Sequence, residues 1–149
     1  MDATIDAVRV AGTPDGPVPV AVLAVEDERD VLPIFIGFDE AASIARGLDA
    51  EDIGRPLTHD LLLDVIEELG GRVADVTVSA VEDGTYIADL TVETPRGEAT
   101  IDARPSDSLA LAARTNAPVS VDESVFESGR QPREEFDELD DIREVAELA

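Results

Sequence analysis

The chain has 149 residues, with 35 Asp and Glu against 11 basic residues and a formal net charge of −24 at pH 7. All 11 bases are arginine, and cysteine is absent, which excludes a disulfide framework and a thiolate metal site. No apolar run approaches the roughly 20 residues that a membrane helix needs, and Met1-Asp2-Ala3 opens without the basic and apolar segments of a secretory signal, so a soluble cytoplasmic protein is expected.

Residues 4–11 mix alternation with β-branched side chains and predict a strand. Thr13-Pro14-Asp15-Gly16-Pro17 is a turn cluster that joins it to a second strand, 18–26, as a hairpin. A third strand, 31–36, carries Pro33, which suggests a sheet edge or a bulge. Helical spacing follows over 39–48, with Ala41, Ile44, Ala45 and Leu48 on one face. After a loop over 49–57, Thr58 is the expected N-cap of a helix at 59–69, which has Leu62, Val65, Ile66 and Leu69 on one side and ends at Gly70-Gly71. Strands at 73–81, 85–94 and 98–103 form a meander whose first turn, Asp83-Gly84, is a hairpin signal. Ser106 is the expected cap of a third helix, 107–115, closed by Asn116; a short strand, 118–121, and a helical turn, 122–128, complete this part.

Residues 131–149 differ in character. Phe136, Leu139, Ile142, Val145 and Leu148 recur every third residue among acids, which reads as an amphipathic C-terminal helix. It would dock on its own domain or a subunit, or recruit a separate protein. The expectation is therefore an α+β domain over 1–130, with a mixed, largely antiparallel sheet and about three packed helices, followed by an acidic tail.

Two loops carry the candidate chemistry. Arg55-Pro56-Leu57-Thr58-His59-Asp60 holds the only histidine. At the start of a helix, its imidazole can serve as general base beside Asp60, as a metal ligand, or simply as a partner for a neighbouring loop. Asp102-Ala103-Arg104-Pro105-Ser106-Asp107 places two carboxylates and a guanidinium around another helix start. Helix-start amides and an adjacent arginine suit an anion, and paired carboxylates suit a divalent cation. The bland alternative is that Ser106 and Asp107 cap the helix while Arg104 pairs with an acid. Gly37-Phe38-Asp39-Glu40 offers acids at a third helix start. Glycine-rich phosphate loops, zinc spacings and a Gly-x-Ser-x-Gly elbow are missing. One Tyr and four Phe offer no evident platform for stacking bases, and there is no basic stripe.

Three blocks carry a resemblance: Leu32-Pro33-Ile34-Phe35-Ile36-Gly37 with Glu40-Ala41, then Arg55 to Leu62, then Asp102 to Ala112. In this order they resemble the bifunctional nuclease family, whose defining unit is the DNase/RNase domain, over roughly residues 4–130. The resemblance implies an α+β domain that self-associates and degrades DNA and RNA. It maps the motif onto Glu40, Arg55, His59, Asp60, Asp102, Arg104 and Asp107. On that mapping, Asp102 and Asp107, assisted by Glu40, would hold Mg²⁺ or Mn²⁺. Arg104 and Arg55 would grip phosphates, and His59, with Asp60 beside it, would activate water or protonate the leaving oxygen. The rival is a non-catalytic homo-oligomeric domain whose Arg-Pro loops bind a phosphorylated ligand or a partner subunit.

The charge bears on either reading. Carboxylates at this density repel one another in dilute buffer, and at molar salt the Debye length shrinks to roughly 3 Å. Lysine is absent, aromatics make up only 3%, and 20 Ala and 17 Val supply much of the apolar content. The composition reads as that of a haloarchaeal protein, the alternative being an ordinary acidic protein. Acidity ordinarily counts against a nucleic-acid partner. As a solvent adaptation it leaves the arginines more informative than the net charge, because Arg binds phosphate bidentately. Nucleic-acid affinity is accordingly expected to be higher at about 2 M KCl than at about 0.1 M, where repulsion is unscreened. Tighter binding at the lower salt would contradict this.

Overall fold

The computed structural model describes residues 1–51 and 54–145. A hairpin of β1 (Asp2–Thr13) and β2 (Gly16–Val25) is followed by β3 (Val31–Phe35), α1 (Phe38–Leu48) and α2 (Thr58–Glu68). A meander of β4 (Arg72–Glu82), β5 (Thr85–Thr94) and β6 (Gly97–Ala103) leads to α3 (Pro105–Thr115), β7 (Val119–Val121) and α4 (Glu123–Gly129). The chain then runs through α5 (Glu134–Asp137), β8 (Asp140–Asp141) and α6 (Ile142–Val145). This is the expected α+β class. The strand order is β3-β2-β1-β7-β4-β5-β6, with β8 also paired to β1. β7 stitches the two halves, antiparallel to β1 and parallel to β4.

Local chemistry explains most of these elements. Pro33 sits in edge strand β3, where its missing N–H costs no ladder bond on the outer side. Asp83 and Gly84 both take positive φ, 50° and 80°, as a two-residue turn matched to strand twist requires. Asn116 ends α3 in the left-handed conformation. The core joins Val8, Leu23, Leu32, Ile44, Val76, Leu109, Leu111 and Phe126, so α1 and α3 share one hydrophobic centre with both halves of the sheet. Among the described residues, no helix is long and apolar enough to cross a membrane.

Three expectations need correction. The N-caps are Leu57 and Arg104 rather than Thr58 and Ser106: each helix begins one or two residues early, and Pro105 takes the first helical position of α3. Pro at that position loses nothing, because its N–H would have no helical partner. The apolar side of α2 largely faces outward, with Leu62 at 41%, Val65 at 46% and Leu69 at 73% exposure. Ile66 of that set is partly buried, and with Leu63 it packs α2 against the core.

The C-terminal segment is not one helix over its described part. It is two short turns on either side of β8, and Leu148 lies outside the described residues. Three-residue spacing in an α-helix rotates backward by about 60° per step, so these apolar positions do not form one stripe. The side chains are instead distributed over the chain's own surface. Phe136 covers Val20, Val22 and Val31, while Ile142 is fully buried in the main core. Arg133 and Arg143 tie the segment to Asp6 and Asp49, and Arg9 donates to the Leu139 carbonyl. Ile142→Ala should lower the unfolding free energy by about 2–4 kcal/mol in urea titrations at fixed KCl. A loss below about 1 kcal/mol would mean that the site collapses around the deletion, so that the burial stabilises little.

Candidate functional site

The first turns of α1, α2 and α3 line one open cleft of about 530 Å³. Glu40 and Phe38 come from α1, His59 from α2, and Asp107 from α3, with Arg104 at the α3 cap. Each helix start carries roughly half a positive charge and unpaired amides, so three of them converge on a region suited to an anion. The side chains around them are less simple. Arg46 and Arg104 contribute two positive charges to the lining, and Asp39, Glu40 and Asp107 contribute three negative ones.

A continuous hydrogen-bonded chain runs through the site. Arg104 grips Asp107 with a fork, Nε to Oδ2 at 2.9 Å and Nη2 to Oδ1 at 3.2 Å, and reaches Glu40 at 3.5 Å. Asp107 Oδ1 also meets His59 Nε2 at 2.9 Å, and His59 Nδ1 lies 2.6 Å from Ser43 Oγ. An ionised Asp107 only accepts, so the proton belongs on Nε2; Nδ1 then accepts from the Ser43 hydroxyl. Ser43 Oγ is thereby free to accept from Arg114 Nη2 at 3.1 Å. Arg114 completes the chain by donating from Nε to Asp60 at 2.7 Å, and from Nη1 to the carbonyls of Ser43 and Ala110.

Burial pushes the Asp107 carboxyl up, but hydrogen bonds from Arg104 and His59 outweigh it and leave the group below its ordinary value. The same balance holds at Asp60, where Arg114 and the Leu57 amide overcome burial.

Of the seven motif residues, Glu40, His59, Arg104 and Asp107 line the cleft. Asp60 is one step behind, reached through Arg114 and Ser43. Arg55 is exposed on the 49–57 connection and does not line the cleft. Asp102 does not join the others either. It pairs with Asp89, whereas Leu90 beside Asp89, and Ala103 beside Asp102, belong to or pack against the core cluster. Strand alternation therefore turns Asp102 to the opposite face. Among the described residues, no three His, Asp or Glu side chains converge in a way that could hold a metal.

Ser43, Arg46 and Arg114 were not anticipated. Their signal was helical spacing on polar faces: Glu40, Ser43 and Arg46 fall every third residue, and Asp107, Ala110 and Arg114 fall three and four apart. Gly47 makes the arrangement possible, since a Cβ there would stand 2.9 Å from Ala113 and 3.0 Å from Arg114 Nη1.

The sequence profile of the bifunctional nuclease domain matches residues 21–134. The chain belongs to the bifunctional nuclease domain family. It is 40% identical over 108 residues to uncharacterised proteins from two strains of Mycobacterium tuberculosis, a match covering 72% of this chain and 64% of theirs. It is 28% identical over 114 residues to Bifunctional nuclease 2 of Oryza sativa subsp. japonica, covering 73% of this chain and 35% of the rice protein. The chain thus spans less than two thirds of the length of these relatives. Within the bifunctional nuclease match fall all the residues of the hydrogen-bonded chain, from Glu40 to Arg114.

Because Asp60 and Asp107 have lowered values in the folded protein, their contribution to stability is present in full at neutral pH. It is lost as pH falls below the ordinary value of 3.8 and through the lowered folded values. Urea midpoints should fall as pH is lowered from about 4.5 to about 2, and less steeply in Asp60→Asn, which cannot titrate. An unchanged slope in that variant would show that Asp60 carries no such linkage.

Proposed function

We propose that this domain binds nucleic-acid phosphates in the three-helix cleft and hydrolyses phosphodiester bonds of DNA and RNA. The observation that carries the reading is the continuous chain from Glu40 through Arg104, Asp107, His59, Ser43 and Arg114 to Asp60, set where three helix starts meet. Arg104 uses three of its N–H groups on carboxylates, and a guanidinium has five, so two remain for a phosphate oxygen. Arg46 adds a second guanidinium in the lining, and its buried Nε has no hydrogen-bond partner among the described residues. Hydrolysis adds water to phosphorus, breaks a P–O bond and delivers a proton to the leaving oxygen. In this reading His59 exchanges those protons once the substrate displaces Ser43 or Asp107 from the ring, since both of its nitrogens are hydrogen-bonded within the protein.

A divalent cation, Mg²⁺ or Mn²⁺, belongs to the proposal in a reduced form. Glu40 and Asp107 are its candidate protein ligands, and Asp102 is not among them. Mg²⁺ commonly takes one or two carboxylates and completes its shell with water and substrate phosphate, which suits this pair. When bound, such an ion would add positive charge against the charge developing on the phosphoryl oxygens. It would also offset the excess of acids in the lining.

The deciding experiment is cleavage of labelled single- and double-stranded DNA and RNA in about 2 M KCl, a salt level chosen for screening. It is run with Mg²⁺, with Mn²⁺ and with EDTA. His59→Ala and Arg104→Ala should each lower the rate by about 100-fold or more while the protein stays folded. Undiminished cleavage in both would remove the cleft from the reaction.

One observation favours the second reading, a homo-oligomeric binding or regulatory domain. α2 exposes Leu61, Leu62, Val65 and Leu69 on its outer side, an apolar strip suited to a subunit contact. Binding of a phosphorylated ligand without cleavage of any substrate in the same assay would move this reading to first place.

A further inference from the structure

The chain has one tyrosine, four phenylalanines and no tryptophan. Phe126 and Phe136 are buried. The other three aromatic residues gather around Arg104. Phe38 lines the cleft already described, and Phe35 and Tyr86 line an adjoining groove of about 440 Å³ to which Arg104 also belongs. β3 and β5 lie far apart in the strand order, so the curl of the sheet brings Phe35 and Tyr86 to one place.

The composition of this groove is unlike that of the surface around it. In a chain with 35 acidic residues, not one Asp or Glu lines it, and its only charge is Arg104. Phe35 is 55% exposed, although the edge strand that carries it could have turned a polar side chain outward. Burial pushes the Tyr86 hydroxyl up, so it adds no charge. An uncharged aromatic slot beside a guanidinium with N–H groups to spare matches a planar, uncharged group attached to a phosphate.

We propose that this groove is a nucleobase subsite: a nucleotide whose phosphate meets Arg104 places its base against Phe35 and Tyr86. This rests on the nucleic-acid reading of the cleft and adds a substrate class to it. A base paired within a duplex cannot enter, so the substrate is single-stranded DNA or RNA, or an unstacked end. Recognition is tolerant of sequence, because every base has a face to stack.

The test compares a labelled single-stranded oligonucleotide with an abasic oligomer of equal length and charge, by fluorescence anisotropy in about 2 M KCl, a salt level set for screening. Wild type should bind the base-bearing oligomer roughly ten-fold more tightly. Phe35→Ala should bring the two close to parity. Phe35→Trp should keep the preference, and its emission, the only tryptophan signal in the protein, should be quenched by the base-bearing oligomer alone.

Equal wild-type affinity for the two oligomers, unchanged in Phe35→Ala, would overturn the subsite and leave the phosphate cleft standing. Failure of wild type to bind either oligomer would overturn both. If the emission of Phe35→Trp shifts with protein concentration alone, in step with an increase in mass, the groove is covered by a second copy and the subsite falls.

Discussion

The site depends on the Arg114 guanidinium. Its side chain is only 9% exposed, yet it makes four hydrogen bonds that reach α1, α2 and its own helix. A charge so little exposed is tolerated only when its donors are satisfied. Arg114 thereby fixes where α2 begins relative to α1, since Asp60 of α2 and Ser43 of α1 both answer to it. Ser43 in turn fixes the His59 ring, and the ring fixes Asp107. The absence of a side chain at Gly47 lets α1 and α3 approach closely enough for this to happen. The order of the cleft is thus set from behind, by a residue that does not line it.

Arg114 and Arg104 carry the same group in opposite circumstances. Arg114 spends its donors inside the protein and acts as a clamp. Arg104, 65% exposed, is held by Asp107 from one side and keeps donors toward solvent. The paired carboxylates thus serve the two arginines differently. Asp60 neutralises a buried charge. Asp107 orients an exposed one and is shared with His59. On the proposed reading a phosphate would take the N–H groups of Arg104 that Asp107 and Glu40 leave free, and a shift of Arg104 would be felt by the imidazole through Asp107. Binding and proton exchange would then be coupled through the one oxygen that His59 and Arg104 share, Asp107 Oδ1.

Much of the fold and part of the site are legible in the residues, for reasons that differ by element. The hairpins follow from turn chemistry at Asp83-Gly84, and the edge position of β3 follows from Pro33, both local effects. Glu40, His59, Arg104 and Asp107 are legible because each stands within one turn of a helix start, where short-range signals are strongest. Asp102 is the counter-example. It is two residues from Arg104, but strand alternation puts it on the other face, and nearness in sequence does not survive a period of two. The outward face of α2 and the division of residues 134–145 were hidden for another reason. Apolar periodicity reports that a face is sticky, and only tertiary packing decides what covers it.

The acidity of the chain gains a specific meaning from the geometry. The cleft lining holds one more acid than base, so side chains alone do not draw in a polyanion. What favours an anion there is the set of fixed dipoles at three helix starts, which act at short range and are little affected by distant surface charge. Molar salt screens the long-range repulsion among surface carboxylates more completely than it screens contacts at hydrogen-bond distance. The adjoining groove fits the same logic: its lining holds no carboxylate, and on the proposed reading it would contribute by aromatic contact, which screening does not weaken. A surface of carboxylates and a phosphate-binding cleft are therefore compatible in one small domain, provided that recognition relies on helix ends, two well-placed guanidiniums and stacking instead of a field of positive charge.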